Sequence, residues 1–226
     1  MDPAKKRRFK TELYEQFARI GDAFSSPRRL EMIDLLAQSE WSVDELAGEM
    51  EMSSANTSRH LQILREAQLV NRRREGTYIY YSLADRRVYE AWKSVRELAE
   101  SRLGDVRRVV EDYLSDRDEL EEMTTAELAE RLEQSGEDVL LLDVRPEREY
   151  REGHIPRARS LPVDELEDRL DELPEDREIV AYCRGPYCVF SDQAVEKLRE
   201  AGFAARRLEE GLPDWTAEGH SVAKMN

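Results

Sequence analysis

Cysteine, histidine and long apolar runs are all scarce in this chain, which has two Cys and three His among its 226 residues. Two thiols separated by four residues cannot build the disulfide framework of a small secreted fold. In a reducing compartment so close a pair reads as catalytic or redox-sensing. No segment approaches the roughly 20 apolar residues that a membrane span needs. The basic start around Lys5-Lys6-Arg7-Arg8 has no apolar stretch behind it to act as a signal peptide. A cytoplasmic protein without membrane association is therefore expected.

Positive charge is also in deficit, but unevenly. The net charge of -15 argues against a nucleic-acid partner until it is divided along the chain. Residues 1–118 carry 21 Lys/Arg against 22 Asp/Glu, whereas residues 119–226 carry 14 against 28. The first half, with basic clusters at Lys5–Arg8 and Arg72-Arg73-Arg74, is compatible with DNA if those clusters share a face. The second half should repel phosphate. Length and an apolar fraction of 40% leave room for two modest domains.

The first half reads as helices followed by a hairpin. Phe9, Leu13, Phe17, Ile20 and Phe24 mark a helix; Ser26-Pro27 caps a second one carrying Leu30, Ile33 and Leu36. Ser42-Val43-Asp44-Glu45 is a capping box heading a short helix. After a turn at Glu51-Met52, another helix begins at Ser53 or Ser54. Two short helices and a brief turn make a helix-turn-helix. Leu69–Arg74 and Thr77–Ser82 are β-prone runs joined by Glu75-Gly76, a hairpin signal that turns the arrangement into a winged helix. Ser54, Asn56, Thr57, Ser58 and Arg59 have the size and chemistry to approach base edges, and Arg72, Arg73 and Arg74 to neutralise phosphates. A merely solvated polar face is the alternative. A long helix from Asp85 to about Leu114 carries an apolar stripe through Trp92, Val95, Leu98, Val106 and Val109.

The run Ser58-Arg59-His60-Leu61-Gln62-Ile63-Leu64-Arg65-Glu66-Ala67-Gln68-Leu69-Val70, followed by Arg74-Glu75-Gly76 and Tyr80-Tyr81-Ser82-Leu83, resembles the signature of ArsR-type winged-helix repressors over roughly residues 9–114. The resemblance implies a homodimer, with the first and last helices at its interface, on a palindromic double-stranded DNA operator. Gln68 stands where that family usually has glycine. Family members that sense metals use cysteines near the DNA-binding helices or Asp/His pairs on the last helix; neither set is present, so no metal site and no cofactor are expected.

Ser115–Glu122 is highly charged and lacks apolar periodicity, so residues 115–123 read as a linker between a domain at 1–114 and a second at 124–226. Thr124-Thr125-Ala126-Glu127 caps a helix; strands at 139–142, 178–182 and 204–208 then alternate with helices at 163–173 and 189–201. That order predicts an α/β domain with a mainly parallel sheet, beside the mostly α winged-helix domain. Cys183 falls at the carboxyl end of a strand, in a tight loop of Arg184, Gly185, Pro186, Tyr187 and Cys188, with Val189 opening the next helix. Loop amides and the positive helix end both favour a thiolate there.

Leu142-Asp143-Val144-Arg145-Pro146, Glu149-Tyr150, Gly153-His154-Ile155-Pro156-Arg157-Ala158, Tyr182-Cys183-Arg184-Gly185 and Gly211-Leu212-Pro213-Asp214-Trp215 together resemble a single rhodanese domain across residues 124–220. The resemblance implies rhodanese-type sulfurtransferase chemistry. A Cys183 thiolate takes sulfane sulfur from a donor such as thiosulfate or a persulfide, the amides of residues 184–189 cradle the outer sulfur, and Asp143 and Arg145 lie at the pocket rim or form a structural ion pair. Rhodaneses commonly end this loop with a basic residue; here that position is Cys188, with Arg184 still charged. Cys188 is either a resolving cysteine or an inert packing residue. Inward-pointing amides turn side chains outward, so a bridge to Cys183 would require the loop to rearrange. The two resemblances in one chain imply a regulator whose operator affinity follows sulfur or redox state at Cys183. The alternatives are a sulfurtransferase with an uncoupled DNA-binding half, and an oxyanion-binding module without transfer.

Overall fold

The first expected helix forms as α1 (Pro3–Phe24), capped by Asp2, whose carboxylate accepts from Lys5 N. The computed structural model describes residues 2–114, 117, 120–134 and 138–225. Contacts divide the chain into Met1–Trp92 and Lys93–Asn226, a division that falls within a helix.

Within the first unit, Ser26 precedes α2 (Pro27–Gln38), with proline at its first position. β1 (Trp41–Ser42) follows, and Ser42 then heads α3 (Val43–Glu49) through the expected capping box: its hydroxyl accepts from Glu45 N while Glu45 accepts from Ser42 N. α4 (Ser54–Glu66) is the second helix of the helix-turn-helix, capped by Ser53. Its buried face, Thr57, Leu61 and Leu64, follows helical spacing and meets Met32, Ile33, Leu36 and Leu46 in one core. β2 (Val70–Glu75) and β3 (Tyr78–Leu83) pair antiparallel with Glu75 opposite Tyr78, so the turn is Gly76-Thr77, one residue later than expected. β1 adds to β3, a pairing that two residues could not announce.

The long helix expected over 85–114 is two helices, α5 (Arg86–Arg102) and α6 (Gly104–Tyr113). Leu103 between them is extended, and glycine at 104 is a poor residue with which to continue a helix.

After α6 the second unit continues through β4 (Glu122–Met123), α7 (Thr125–Gln134), β5 (Val139–Asp143), α8 (Glu147–Glu152), β6 (Arg159–Ser160), β7 (Glu178–Tyr182), α9 (Val189–Glu200), β8 (Ala205–Leu208) and α10 (Leu212–Ala217). The strands form one parallel sheet, order β4-β8-β7-β5-β6. Of the expected linker, Ser115, Asp116, Asp118 and Glu119 lie outside the described residues, while Glu122 and Met123 supply the edge strand. Alternation along β7 sends Ile179, Ala181 and then Cys183 into one core, with Leu142, Ala194, Val195 and Leu198. Val180 and Tyr182 go to the other, with Leu128, Leu141, Ile155 and Trp215. The helix expected at 163–173 is instead two 3-10 turns, Val163–Glu165 and Glu167–Glu172. The spacing of three between Val163 and Leu166, and between Leu170 and Leu173, matches the three-residue turn of that helix.

α4 closes in a Schellman motif: Gln68 N donates to Arg65 O at 2.9 Å and Leu69 N to Leu64 O at 2.9 Å. The motif requires a left-handed residue, and Gln68 takes it at φ 61°. A side chain there costs about 1–2 kcal/mol, part of which glycine returns as chain entropy. Gln68→Gly is therefore expected to stabilise the chain by roughly 0.5–1 kcal/mol. Urea denaturation checks this; an unchanged or lower midpoint would count against the strain.

Candidate functional site

β7 ends at Tyr182, and Cys183 follows it, almost fully buried against α9. Gly185-Pro186-Tyr187-Cys188 is a β-turn closed by Cys188 N donating to Gly185 O at 3.1 Å, with proline preset for its second position. The turn brings Cys188 back so that Cys183 and Cys188 are disulfide-bonded with their Cα atoms 6.2 Å apart. That separation is ordinary for a bridge. The expectation that bridging needs a rearranged loop is thus corrected: this loop already carries the two side chains toward each other.

α9 begins directly after Cys188, which supplies no side-chain cap. The first-turn amides of a helix have no intrahelical acceptor, and here they open onto the loop.

Asp143 and Arg145 are not at a rim. Both are fully buried, on the Tyr182 side of the sheet, because alternation turns Asp143 the same way as Leu141. Arg145 grips the carboxylate with Nε at 2.9 Å and Nη2 at 2.5 Å, and Nη2 also donates to Gly153 O at 2.8 Å. The Tyr182 hydroxyl donates to Asp143 Oδ2 at 2.5 Å and accepts from Ile155 N at 3.0 Å. Burial, then the Asp143 charge, holds the Tyr182 hydroxyl well above its ordinary pKa. Burial works against the Arg145 charge, but Asp143 outweighs it and the guanidinium stays protonated.

Arg184 does not offer an unmatched charge. Its guanidinium meets the fully buried Glu149 carboxylate at 2.6 Å and lies over the Phe190 ring. Tyr187 is exposed, but its hydroxyl donates to Glu100 of α5 at 2.6 Å; burial and then this hydrogen bond push its pKa up to about 12. Asp214, fully buried, accepts from Gly211 N at 3.3 Å and from Arg96 Nη2 at 2.8 Å. Gly211 packs against the loop so closely that a Cβ would lie 2.4 Å from Arg184 C and 2.5 Å from Gly185 N. Glu149, Gly211 and Asp214 stood within the motifs that marked this domain. Arg96, Glu100 and Arg117, which also contacts the loop, gave no signal, since charged residues crowd their segments.

On α4, Ser54, Asn56, Ser58 and Arg59 are exposed, and Ser54 donates to Asp44 at 2.9 Å. Thr57 is a correction: it is fully buried on the Leu61–Leu64 face and cannot approach a base. Burial first, then Arg29, Arg59 and Arg28, hold His60 below its ordinary pKa, so this end of the unit is locally positive. On the wing, Arg72 and Arg74 are exposed, whereas Arg73 is paired with Glu40 at 2.6 Å and Glu75 at 2.5 Å. Among the described residues no group of three or more His, Cys, Asp or Glu is placed to hold a metal ion, and no helix is long and apolar enough to cross a membrane.

The model of the bacterial regulatory protein, arsR family, matches residues 26–72, and that of the rhodanese-like domain matches residues 124–218. The chain is 44% identical over 213 residues to the HTH-type transcriptional regulator Rv0324 of Mycobacterium tuberculosis, covering 94% of this chain and 92% of that protein. It is 36% identical over 99 residues to a sulfurtransferase of Allochromatium vinosum, covering 43% of this chain and 90% of that one. The homodimeric winged helix-turn-helix DNA-binding domain of Mb0332 from Mycobacterium bovis is a solved structure with 38% identity and a TM-score of 0.40, covering 42% of this chain and 89% of that one.

Two outcomes follow from the packing under the loop. Arg145→Ala strands the Asp143 charge in the core and is expected to cost about 3–5 kcal/mol in chemical denaturation. Gly211→Ala is expected to cost about 1–3 kcal/mol by overpacking; a melting temperature equal to wild type would show that the loop yields freely.

Proposed function

The chain belongs to the arsR family of bacterial regulatory proteins and carries a rhodanese-like domain, and from that premise we propose a dimeric repressor that loads sulfane sulfur on Cys183 and reports the state of this loop as operator affinity. The observation that carries the reading is the loop itself, with both cysteines between the end of β7 and the start of α9 and their sulfurs within bonding reach.

In the reduced pair, the Cys183 thiolate attacks the outer sulfur of a persulfide or thiosulfate. The donor S–S bond breaks, and a thiolate or sulfite leaves. The Cys188 thiolate then attacks Cys183 Sγ and expels the outer sulfur as hydrosulfide, leaving the Cys183–Cys188 disulfide. A low-molecular-weight thiol pair restores the dithiol and leaves as its own disulfide. Because Arg184 is matched by Glu149 and the second half of the chain is strongly acidic, a singly charged persulfide is the favoured donor over the thiosulfate dianion.

Ser54, Asn56, Ser58 and Arg59 face the bases of a palindromic operator, with Arg72 and Arg74 on phosphates. The exposed stripe Phe9, Leu13, Phe17 and Ile20 on α1 supports a dimer, since so much apolar surface on one helix is rarely left in water. Coupling is supported by Tyr187, which lies between the cysteines and bonds Glu100 of α5. A bias of about 1–3 kcal/mol between two arrangements changes occupancy roughly 5- to 150-fold.

Fluorescence anisotropy on the gene's own upstream DNA, at one fixed salt concentration, tests the reading. Persulfide treatment of reduced protein is expected to shift the affinity about tenfold or more, and Cys183→Ser to abolish the shift. Unchanged affinity alongside normal sulfur uptake would leave an uncoupled sulfurtransferase.

A further inference from the structure

Arg117, in the segment between α6 and β4, reaches the cysteine loop. Its guanidinium donates to Pro186 O through Nη1 and to Cys188 O through Nη2 at 3.3 Å. Nε and Nη2 also grip Asp192 Oδ2 of α9 at 3.0 and 2.6 Å. The side chain is nearly buried, at 10% exposure, so these contacts are made largely out of water.

A trans peptide is planar, with its N–H opposite its C=O. Holding the Pro186 and Cys188 carbonyls toward Arg117 therefore turns the Tyr187 and Val189 amides away from it. Those two amides matter because the rest of the turn has little to give. Pro186 has no N–H, and the Cys188 N–H is spent on Gly185 O. Val189 is the first residue of α9, so its N–H has no helical acceptor.

We propose that Arg117 is a positioning residue for sulfur loading: by fixing the Pro186 and Cys188 carbonyls it presents the Tyr187 and Val189 amides to the anionic outer sulfur of a Cys183 persulfide. The inference rests on the sulfur-loading reading above. The loop lacks a basic residue at its Cys188 end, and Arg117 supplies in its place an orientation of peptide dipoles rather than a charge, because its own charge is matched by Asp192. Only a planar fork serves two carbonyls and a carboxylate together; lysine is a single point.

The test uses full-length protein carrying Cys188→Ser, so that a persulfide formed on Cys183 is kept, with Arg117 retained as wild type or replaced as Arg117→Ala or Arg117→Lys, all pre-reduced. Persulfide formation on a small-molecule persulfide donor is followed by intact mass over a range of donor concentrations. Arg117→Ala is expected to load about tenfold more slowly at saturating donor, the scale of a hydrogen bond to a charged group, with little change in half-saturation. Added methylguanidinium is expected to restore part of that rate, which a purely structural defect would not allow. Arg117→Lys is expected to load more slowly than wild type, and decides the matter should the alanine variant not fold. Loading by both variants within about twofold of wild type overturns the inference. Wild-type protein that takes up no sulfur fails earlier and overturns the sulfur-loading reading with it.

Discussion

A charge taken out of water costs several kcal/mol unless its partner and its remaining hydrogen bonds come with it. Asp143 and Arg145 both lie fully buried beneath the end of the parallel sheet, and the groups around them are arranged to meet that cost. Arg145 forks the carboxylate and caps Gly153 O; the Tyr182 hydroxyl takes a further carboxylate lone pair and an amide from Ile155. The network fixes more than stability. Asp143 stands opposite Tyr182 in the β5–β7 register, so Tyr182 must face it. Alternation then sends Cys183 to the other face, against α9. The direction of Cys183 follows from where a buried carboxylate had to be satisfied.

From that fixed point the loop is held at its base and at its far end by different means. Gly211 lies where no side chain could, against Arg184 and Gly185, and the buried Asp214 holds Gly211 N in turn. Glu149 anchors Arg184 from α8. Pro186 sets the turn, and Arg117 takes its carbonyls. Tyr187 is the exposed part, and even it is tied by one hydrogen bond to Glu100. A short loop carrying a bond-forming pair of sulfurs needs such fastening, because the geometry a disulfide accepts is narrow.

Much of this was legible in the chain. Caps announced α3 and α7, since their mechanism is local, one side chain answering one amide; α2 was announced by Pro27 at its first position, for Ser26 makes no side-chain cap. The parallel sheet followed from apolar runs spaced by helical ones, and Cys183 from its place after such a run. What escaped depended on partners distant in sequence or on a choice of face. Thr57 has the chemistry of a base reader, yet Leu61 and Leu64 fix which side of α4 is inside, and Thr57 shares it. Asp143 and Arg145 looked equally suited to a rim, because burial of a charged pair leaves no local mark. The apolar residues at 163, 166, 170 and 173 suited either helix type. Arg117 is the one basic residue in an acidic run, Ser115–Glu122, and nothing local to that run points to the distant loop it meets.

The distribution of charge around Cys183 also bears on what the loop can hold. Arg184 and Arg117 lie at the loop, Arg96 holds the Asp214 that tethers Gly211 against it, and each is answered by a buried or nearly buried carboxylate: Glu149, Asp192 and Asp214. The cations fasten the loop instead of drawing anions to it, and the acidic surplus of residues 119–226 opposes any anion that approaches. Backbone amides remain, and they differ from a free cation in reach. A guanidinium attracts at a distance, whereas an oriented N–H acts over one hydrogen bond. For the donor proposed above, a second negative charge gains little, since it meets the repulsion of the acidic surface while Arg184, Arg117 and Arg96 are already matched. On the sulfur-loading reading proposed above, the loop stabilises best a single charge formed in place, on a sulfur bonded to Cys183.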